Sequence, residues 1–550
     1  MTGEASGDTT VPASTHGVAS PAEGSAGRAA VTITLWNLIS RITGFIRVVA
    51  TATALGIAVL GDTYQRTNQI SNVLFELLAG GMLFAVLIPS FVDLFRLGDR
   101  RQAQDLAGAL ATRGLAVLAA IVVVALLGGR WLIELLSAGV SAETRAAQVE
   151  LGTFLLWFVL PQLLLYAAGA VASALLQADR RFAATSIAPT CNNLVVAATM
   201  IAFTAVHDPA RGLALSTGEK VLLGGGTLAG TVAMTLVPFV ALRNAGLTIR
   251  PRWRVPDVDL RPLAHRGLWG AGHIGLNQVM ILATVVLAGW VDGGVIAYQV
   301  AFTFFLLPHA LLAHPIFTAL YPRLSRRGSA GEHHDFARDL SLGLRSMLLL
   351  VVPGAGLLAV VAAPALSIVR FGQLDDRGTR LVALVLAAYL VGLAGYSAFF
   401  LLTRASYALG NARRPTLVNL GATSVTVAAM IVATATTRGA SLLIIFGVAH
   451  AMTITAGSLW LYAAMARDLG EAVPVAATLR RVLLASVLAV SGAYATASVV
   501  GWDTRAAAMM ATAAASAVGV VVYAMALSGL RTPELAIVRA QVTGYVRRLR

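Results

Sequence analysis

Long apolar stretches separated by short segments rich in Arg, Gly and Pro recur along this chain from about residue 31 onward. Each holds about 20 or more residues, enough at about 1.5 Å per residue to cross a hydrocarbon layer of about 30 Å. The pattern predicts spans at 31–55, 67–95, 103–128, 150–176, 184–206, 221–242 and 264–290. A second set follows at 295–320, 344–369, 380–403, 416–436, 440–464, 480–500 and 506–529. The expected fold is an all-α polytopic membrane protein with about 14 transmembrane helices.

Composition excludes a water-soluble domain. Of 550 residues 57% are hydrophobic and 12% charged, and the mean hydropathy is +0.77, about half the charge density of an ordinary soluble domain. The net charge of +15 does not indicate nucleic acid as a partner. Lys220 is the sole lysine, and the arginines fall in short clusters between apolar runs, where they act as topology signals. Connections after even-numbered spans, counted with the first residues of the span that follows and with the C-terminal tail, hold 27 basic residues; the alternate set, counted the same way, holds 10, and Arg28, Arg41, Arg47 and Arg113 complete the 41. This asymmetry places both termini in the cytoplasm. The only cysteine, Cys191, lies in an apolar run and excludes a disulfide framework or a thiolate metal site.

Residues 1–30, rich in Gly, Ala, Ser and Thr without a basic and apolar leader pattern, read as a disordered cytoplasmic tail rather than a signal peptide. Residues 531–550, with Arg531, Arg539, Arg547, Arg548 and Arg550 among apolar positions, read as a basic cytoplasmic tail against anionic lipid. No phosphate-cradling GxxxxGK[ST], no HExxH and no Cys/His cluster is present. Transport or a structural role therefore outranks an enzyme, and no metal or other cofactor is implied.

Charges inside spans carry the candidate chemistry. Arg41 and Arg47 are six residues apart, about 9 Å along a helix. Facing lipid, each costs on the order of 2.5–3.5 kcal/mol, so both are expected at a polar cavity; anchoring by snorkelling is the alternative. Glu76 is the natural partner for one of them, either as a structural pair or in a coupling step. Arg113 reads as a snorkelling residue. Asp62, beside Arg66 in the first outward connection, reads more readily as a solvated loop residue than as a gate. His273 and Asn277 share a helix face at i, i+4, with Gln278 adjacent; interhelical hydrogen bonding and cavity lining are both open. No role is assigned to His309 or His314.

The run Ser40-Arg41-Ile42-Thr43-Gly44-Phe45-Ile46-Arg47, followed by Asp62, by Ser71-Asn72 and by Phe91-Val92-Asp93, resembles the opening of the MurJ/MviN family of lipid II flippases. Asp179-Arg180-Arg181-Phe182, Asn192-Asn193, the segment Pro308 to Ser325 and Ala412-Arg413-Arg414-Pro415-Thr416 extend the likeness over about residues 31–530. The resemblance implies the multidrug/oligosaccharidyl-lipid/polysaccharide exporter fold: lobes at 31–243 and 244–465 related by pseudo-symmetry, with 466–530 forming a groove for a polyprenyl tail. It implies that Arg41 and Arg47 bind the lipid diphosphate head group, and that Asp62 matches a functional acidic residue. Two spans depart from it. Phe75 and Glu76 stand where the family usually has arginine in the second span, and Thr303 where it has one in the eighth, which makes the cavity less cationic.

The leading expectation is a bacterial cytoplasmic-membrane flippase that carries lipid II, or a related polyprenyl-diphosphate glycolipid, from inner to outer leaflet by alternating access. Candidate substrate contacts are Arg41, Arg47, Asn72, Asn277 and Gln278; candidate coupling or gating residues are Asp62 and Glu76. Membrane potential or a monovalent ion would supply the drive. The alternatives are export of another polyprenyl-linked glycan or amphipathic solute, and a transport-inactive scaffold that recruits cell-wall synthesis proteins.

Overall fold

A computed structural model describes residues 21–77, 84–254, 261–368 and 375–530. In the N-terminal part these residues form α1 (Pro21–Leu55), α2 (Val59–Phe75), α3 (Phe84–Arg96), α4 (Arg100–Leu127), α5 (Gly129–Leu136), α6 (Ala142–Val159), α7 (Gln162–Ala178), α8 (Ala183–Val206) and α9 (Thr217–Asn244). There follow α10 (Arg261–Ala288), α11 (Gly294–Pro308), α12 (His314–Ala330), α13 (His333–Ile368), α14 (Asp376–Leu390) and α15 (Leu393–Ala408). The chain continues through α16 (Arg413–Thr436), α17 (Ala440–Leu469), α18 (Ala476–Val500) and α19 (Arg505–Gly529).

Among the described residues twelve helices are long and apolar enough to cross a membrane, or thirteen when α14 and α15, bent by 50°, count as one span. The one expected span without a counterpart among these, the second at 67–95, runs over part of α2, residues outside the description, and α3. Helix is the form that satisfies every backbone N–H and C=O within lipid. Where the ladder breaks, the sequence supplies a reason. Pro161 separates α6 from α7, and Pro308 precedes a π-helical turn over His309–Ala313 that joins α11 to α12. Caps mark several membrane-surface ends: Asp99 accepts from the Gln102 N–H before α4, and Ser216 with Glu219 forms a capping box before α9.

Two expectations change at the chain ends and connections. Residues 21–30, expected as tail, are the first ten of α1; Pro21 suits a first helical turn, and the alanines that follow carry the helix into the span. Residues 1–20 and the basic tail at 531–550 lie outside the described residues. Arg113 donates through Nε to the Trp253 carbonyl at 2.8 Å, so it ties α4 to the segment after α9 instead of reaching only for lipid head groups.

Packing groups the helices. One large buried cluster draws almost wholly on residues 285–475, with Phe305, Phe336, Leu386 and Phe446 near its centre. Three smaller clusters draw on residues 54–247. α18 and α19 pack on each other and on α13, where the Tyr523 hydroxyl donates to the Leu349 carbonyl at 2.6 Å. Outward apolar side chains such as Val124 on α4, Val425 on α16 and Met525 on α19 are left for lipid.

Candidate functional site

α1 is held to its neighbour by polar contacts that orient its arginines. Asn193 of α8 donates through Nδ2 to the Ser40 carbonyl at 3.1 Å and to Thr43 Oγ1 at 3.3 Å, one residue from Arg41 on one side and four from Arg47 on the other. Arg47 is the one cation lining a small polar pocket whose α2 wall is Gln65, Asn68, Gln69 and Asn72. These four amides fall at i, i+3, i+4 and i+7, one face of a helix. Tyr64, hydrogen-bonded to Thr227 of α9 at 2.7 Å, fixes the rotation of that face. The expected pair Arg47 and Asn72 is therefore brought together.

The larger cavity, about 1200 Å³, lies among α10, α15, α16 and α17. Asn277 lines it, as do His273, Arg404, Arg413 and His450, and no Asp or Glu is among its described lining residues. Asn419 of α16 donates to Asn277 Oδ1 at 3.1 Å and to the His273 carbonyl at 3.3 Å. Interhelical bonding and cavity lining, alternatives at the sequence level, thus coincide at Asn277. Gln278 is different: it is buried in the packing and lines neither cavity. A turn of α10 is about 100° per residue, so the neighbour of a cavity-facing Asn277 points away from the cavity.

Arg41, expected at a polar cavity, is exposed and lines neither of these two cavities. His309 and His314 both lie against the ring of Phe400 on α15, with centroids at 5.1 and 6.0 Å. His309 is further held by Ser397 Oγ at 3.0 Å.

Asp62 is not a solvated loop residue. It is 3% exposed, in the first turn of α2. Its carboxylate accepts the backbone N–H of Gly293 at 3.0 Å and of Ile296 at 2.9 Å, the open N-terminal end of α11. Gly293 has φ of 76°, and a Cβ there would lie 2.2 Å from the Ile57 carbonyl oxygen, so only glycine permits this approach. Arg66, one turn on, is buried and donates to Gln148 Oε1 at 2.7 Å and Ser137 Oγ at 3.3 Å. Glu76, at the C-terminal end of α2, forms no ion pair with Arg41 or Arg47 among the described residues. Glu76 stands four residues after Asn72 and continues the amide face by one turn, but it does not line the Arg47 pocket, so the expected pairing is not realised.

Sequence reasoning missed Arg404 and the amide stripe. The stripe was legible as a helical-period run of amides within 65–72. Arg404 stands at the very end of an apolar run and reads there as a topology signal.

A sequence profile described as lipid II flippase MurJ matches residues 51–515. The chain belongs to the MurJ family. A probable lipid II flippase MurJ from Vibrio cholerae is 26% identical over 404 residues, covering 70% of this chain and 74% of the relative. One from Rhizobium meliloti is 25% identical over 524 residues, covering 92% and 94%. Among solved structures, a lipid II flippase MurJ in an inward closed conformation superposes with a TM-score of 0.74 at 17% identity, over 92% of this chain and all 100% of that one. An inward-facing MATE family transporter of the MOP superfamily gives 0.60 at 13% identity, over 79% and 98%. The MurJ fold, shared with that wider transporter group, is thus the architecture of this multi-pass membrane chain.

Proposed function

We propose that the protein moves the head group of lipid II from the inner to the outer leaflet of the bacterial cytoplasmic membrane, by alternating access between halves at 31–243 and 244–465. The observation that carries this reading is the pocket of Arg47 and the α2 amide face within a MurJ fold. A guanidinium suits a diphosphate through paired, charge-assisted hydrogen bonds, and amides suit the hydroxyl and acetamido groups of an attached sugar. Arg41 and Arg47 hold the phosphates, Asn72 and Asn277 contact the polar head group, and the polyprenyl tail stays in lipid beside α18 and α19. Gln278, set into the packing, supports α10 instead of touching cargo. Both termini face the cytoplasm, and membrane potential drives the charged head group outward.

A second reading keeps the fold and changes the cargo to another polyprenyl-linked glycan or an amphipathic solute. Phe75, Glu76 and Thr303 favour it, since they remove cations from the positions where the resemblance leads one to expect them. The test is depletion of the resident lipid II flippase in a bacterial host, with lipid II measured at the outer leaflet. Rescue by the parent and not by an equally expressed Arg41→Ala plus Arg47→Ala variant supports the proposal. Equal rescue by both removes the phosphate assignment, and failure of an inserted parent to rescue moves the cargo to the second reading.

A further inference from the structure

Cations in this protein divide into two groups. Arg100, Arg130, Arg181, Arg252, Arg327 and Arg414 each meet a carboxylate. Arg404 meets none among the described residues, although it borders the cavity of about 1200 Å³. Its guanidinium lies over the rings of Phe400, Tyr407 and Phe317, with centroids at 5.4, 5.8 and 6.0 Å. Ring contacts of this kind hold a guanidinium by its face and leave the in-plane N–H fork free. No described hydrogen bond uses that fork. Arg413, at the same cavity, is likewise held over a ring, that of Trp269 at 5.7 Å.

Positive charge also converges here from another helix. Arg413 of α16 lines the cavity together with Arg404 of α15, so two helices bring positive charge to a common space. His273 Nδ1 and His450 Nε2 are buried without a hydrogen-bond partner among the described residues, and both residues line the cavity. A cavity that gathers like-charged groups, excludes carboxylates and leaves donors unclaimed is complementary to an anion.

We propose that Arg404, acting with Arg413 at the same cavity, is an anchor for a diphosphate-class anion, and that the cavity beside it receives the polar group attached to that anion. This rests on the transport reading for the identity of the cargo, and not for the anion site itself. It also gives the chain a replacement for the positive charge absent at Phe75 and Thr303: the cation is supplied from α15 instead of from the second and eighth spans.

The test uses the full chain in lipid nanodiscs with inorganic pyrophosphate as the probe, read by calorimetry and by the rise in melting temperature. The parent is expected to bind, more weakly as salt rises. Arg404→Gln is expected to weaken binding about tenfold, the loss of one charged hydrogen-bonding anchor. Arg404→Lys keeps the charge without the fork and is expected to fall between them. Arg130→Gln, on an exposed helix pair, is expected to bind as the parent does. A merely structural role for Arg404 would lower the melting temperature without pyrophosphate and leave the affinity unchanged. Should Arg404→Gln fail to fold, Arg404→Lys decides. Parent-like affinity in the folded variant, or no binding by the parent, overturns the proposal. Weakened binding in Arg404→Gln with no lipid II rescue by the parent keeps the anion site and removes lipid II as cargo; rescue by the parent with unchanged affinity in the variant does the reverse.

Discussion

Asp62→Asn is the substitution with the most sharply defined consequence. The carboxylate joins α2 to the first turn of α11 through two backbone N–H groups, at 3.0 and 2.9 Å. Each such charge-assisted bond contributes about 1.5–3 kcal/mol, and a negative charge at a helix N-terminus adds about 0.3–1 kcal/mol. Asparagine retains one acceptor oxygen and turns an NH2 group toward the second N–H. The contact is then expected to weaken by about 2–4 kcal/mol, a shift of about 30- to 700-fold in the equilibrium between closed and open arrangements at this end. Spin labels at Ala58 and Asp292, both exposed and flanking the contact, with Cys191 replaced by Ala, report that equilibrium as a distance distribution in nanodiscs. The parent should give one short distance and the variant an added longer component. Arg66 complicates stability, because it is buried beside Asp62 and loses the charge that opposes its own. Adding Arg66→Met to Asp62→Asn should restore the melting temperature without restoring the short distance. An unchanged distance distribution in Asp62→Asn would refute the idea that this carboxylate holds the two helices closed.

Other outcomes follow from single contacts. Gly293→Ala places a Cβ 2.2 Å from the Ile57 carbonyl oxygen at φ of 76°, so it should lower the melting temperature and lengthen the same label distance; a parent-like distribution would show that the approach is dispensable. Glu219→Ala removes the partner that His207 Nδ1 meets at 2.8 Å and the reciprocal contact to Ser216, together about 2–4 kcal/mol, read as earlier thermal unfolding. Arg130→Ala breaks an exposed i, i+4 pair with Glu134 and should change stability by no more than about 0.5 kcal/mol. Under the proposed transport cycle, a potassium diffusion potential, inside negative, should accelerate outward movement of the head group in proteoliposomes, and equal rates with the potential collapsed would exclude electrical drive.

The membrane fold was legible because periodic apolar runs and alternating arginine content are properties of the linear chain. Arg47 with Asn72, and Asn277 at a cavity, were also within reach, since helical spacing places them on definite faces. Asp62 was not. A carboxylate next to a Gly-rich connection reads as solvated, and its partners are backbone N–H groups 231 and 234 positions away, which no side-chain pattern records. Glu76 failed for the opposite reason. Proximity of opposite charges along adjacent spans suggested a pair, but the Arg47 pocket ends at Asn72 on α2, and Glu76, one turn further along the same face, does not line it. Arg404 looked like one more basic residue at a span end, and only the three rings around it distinguish it from a topology signal.

The contact at Asp62 and the cations at Arg41, Arg47 and Arg404 set opposing demands on the proposed cycle. Closure between α2 and α11 must be released for the head group to leave on that side, at about 2–4 kcal/mol by the estimate for Asp62. A ligand shifts such an equilibrium only through a difference in its affinity for the two states. A head group that the arginines bind equally well in both states contributes nothing, however tightly it is held. An electrical field acts differently: two negative charges moving outward through about 100 mV, inside negative, release about 4.6 kcal/mol. That quantity is comparable with the closure it has to overcome. The arginines then need only capture the anion and carry it across the field, and a cavity with fewer fixed cations lowers the work of letting it go. On this reasoning Phe75, Glu76 and Thr303 favour release, while Arg404, held by its ring face with its N–H fork open, retains enough positive charge for capture.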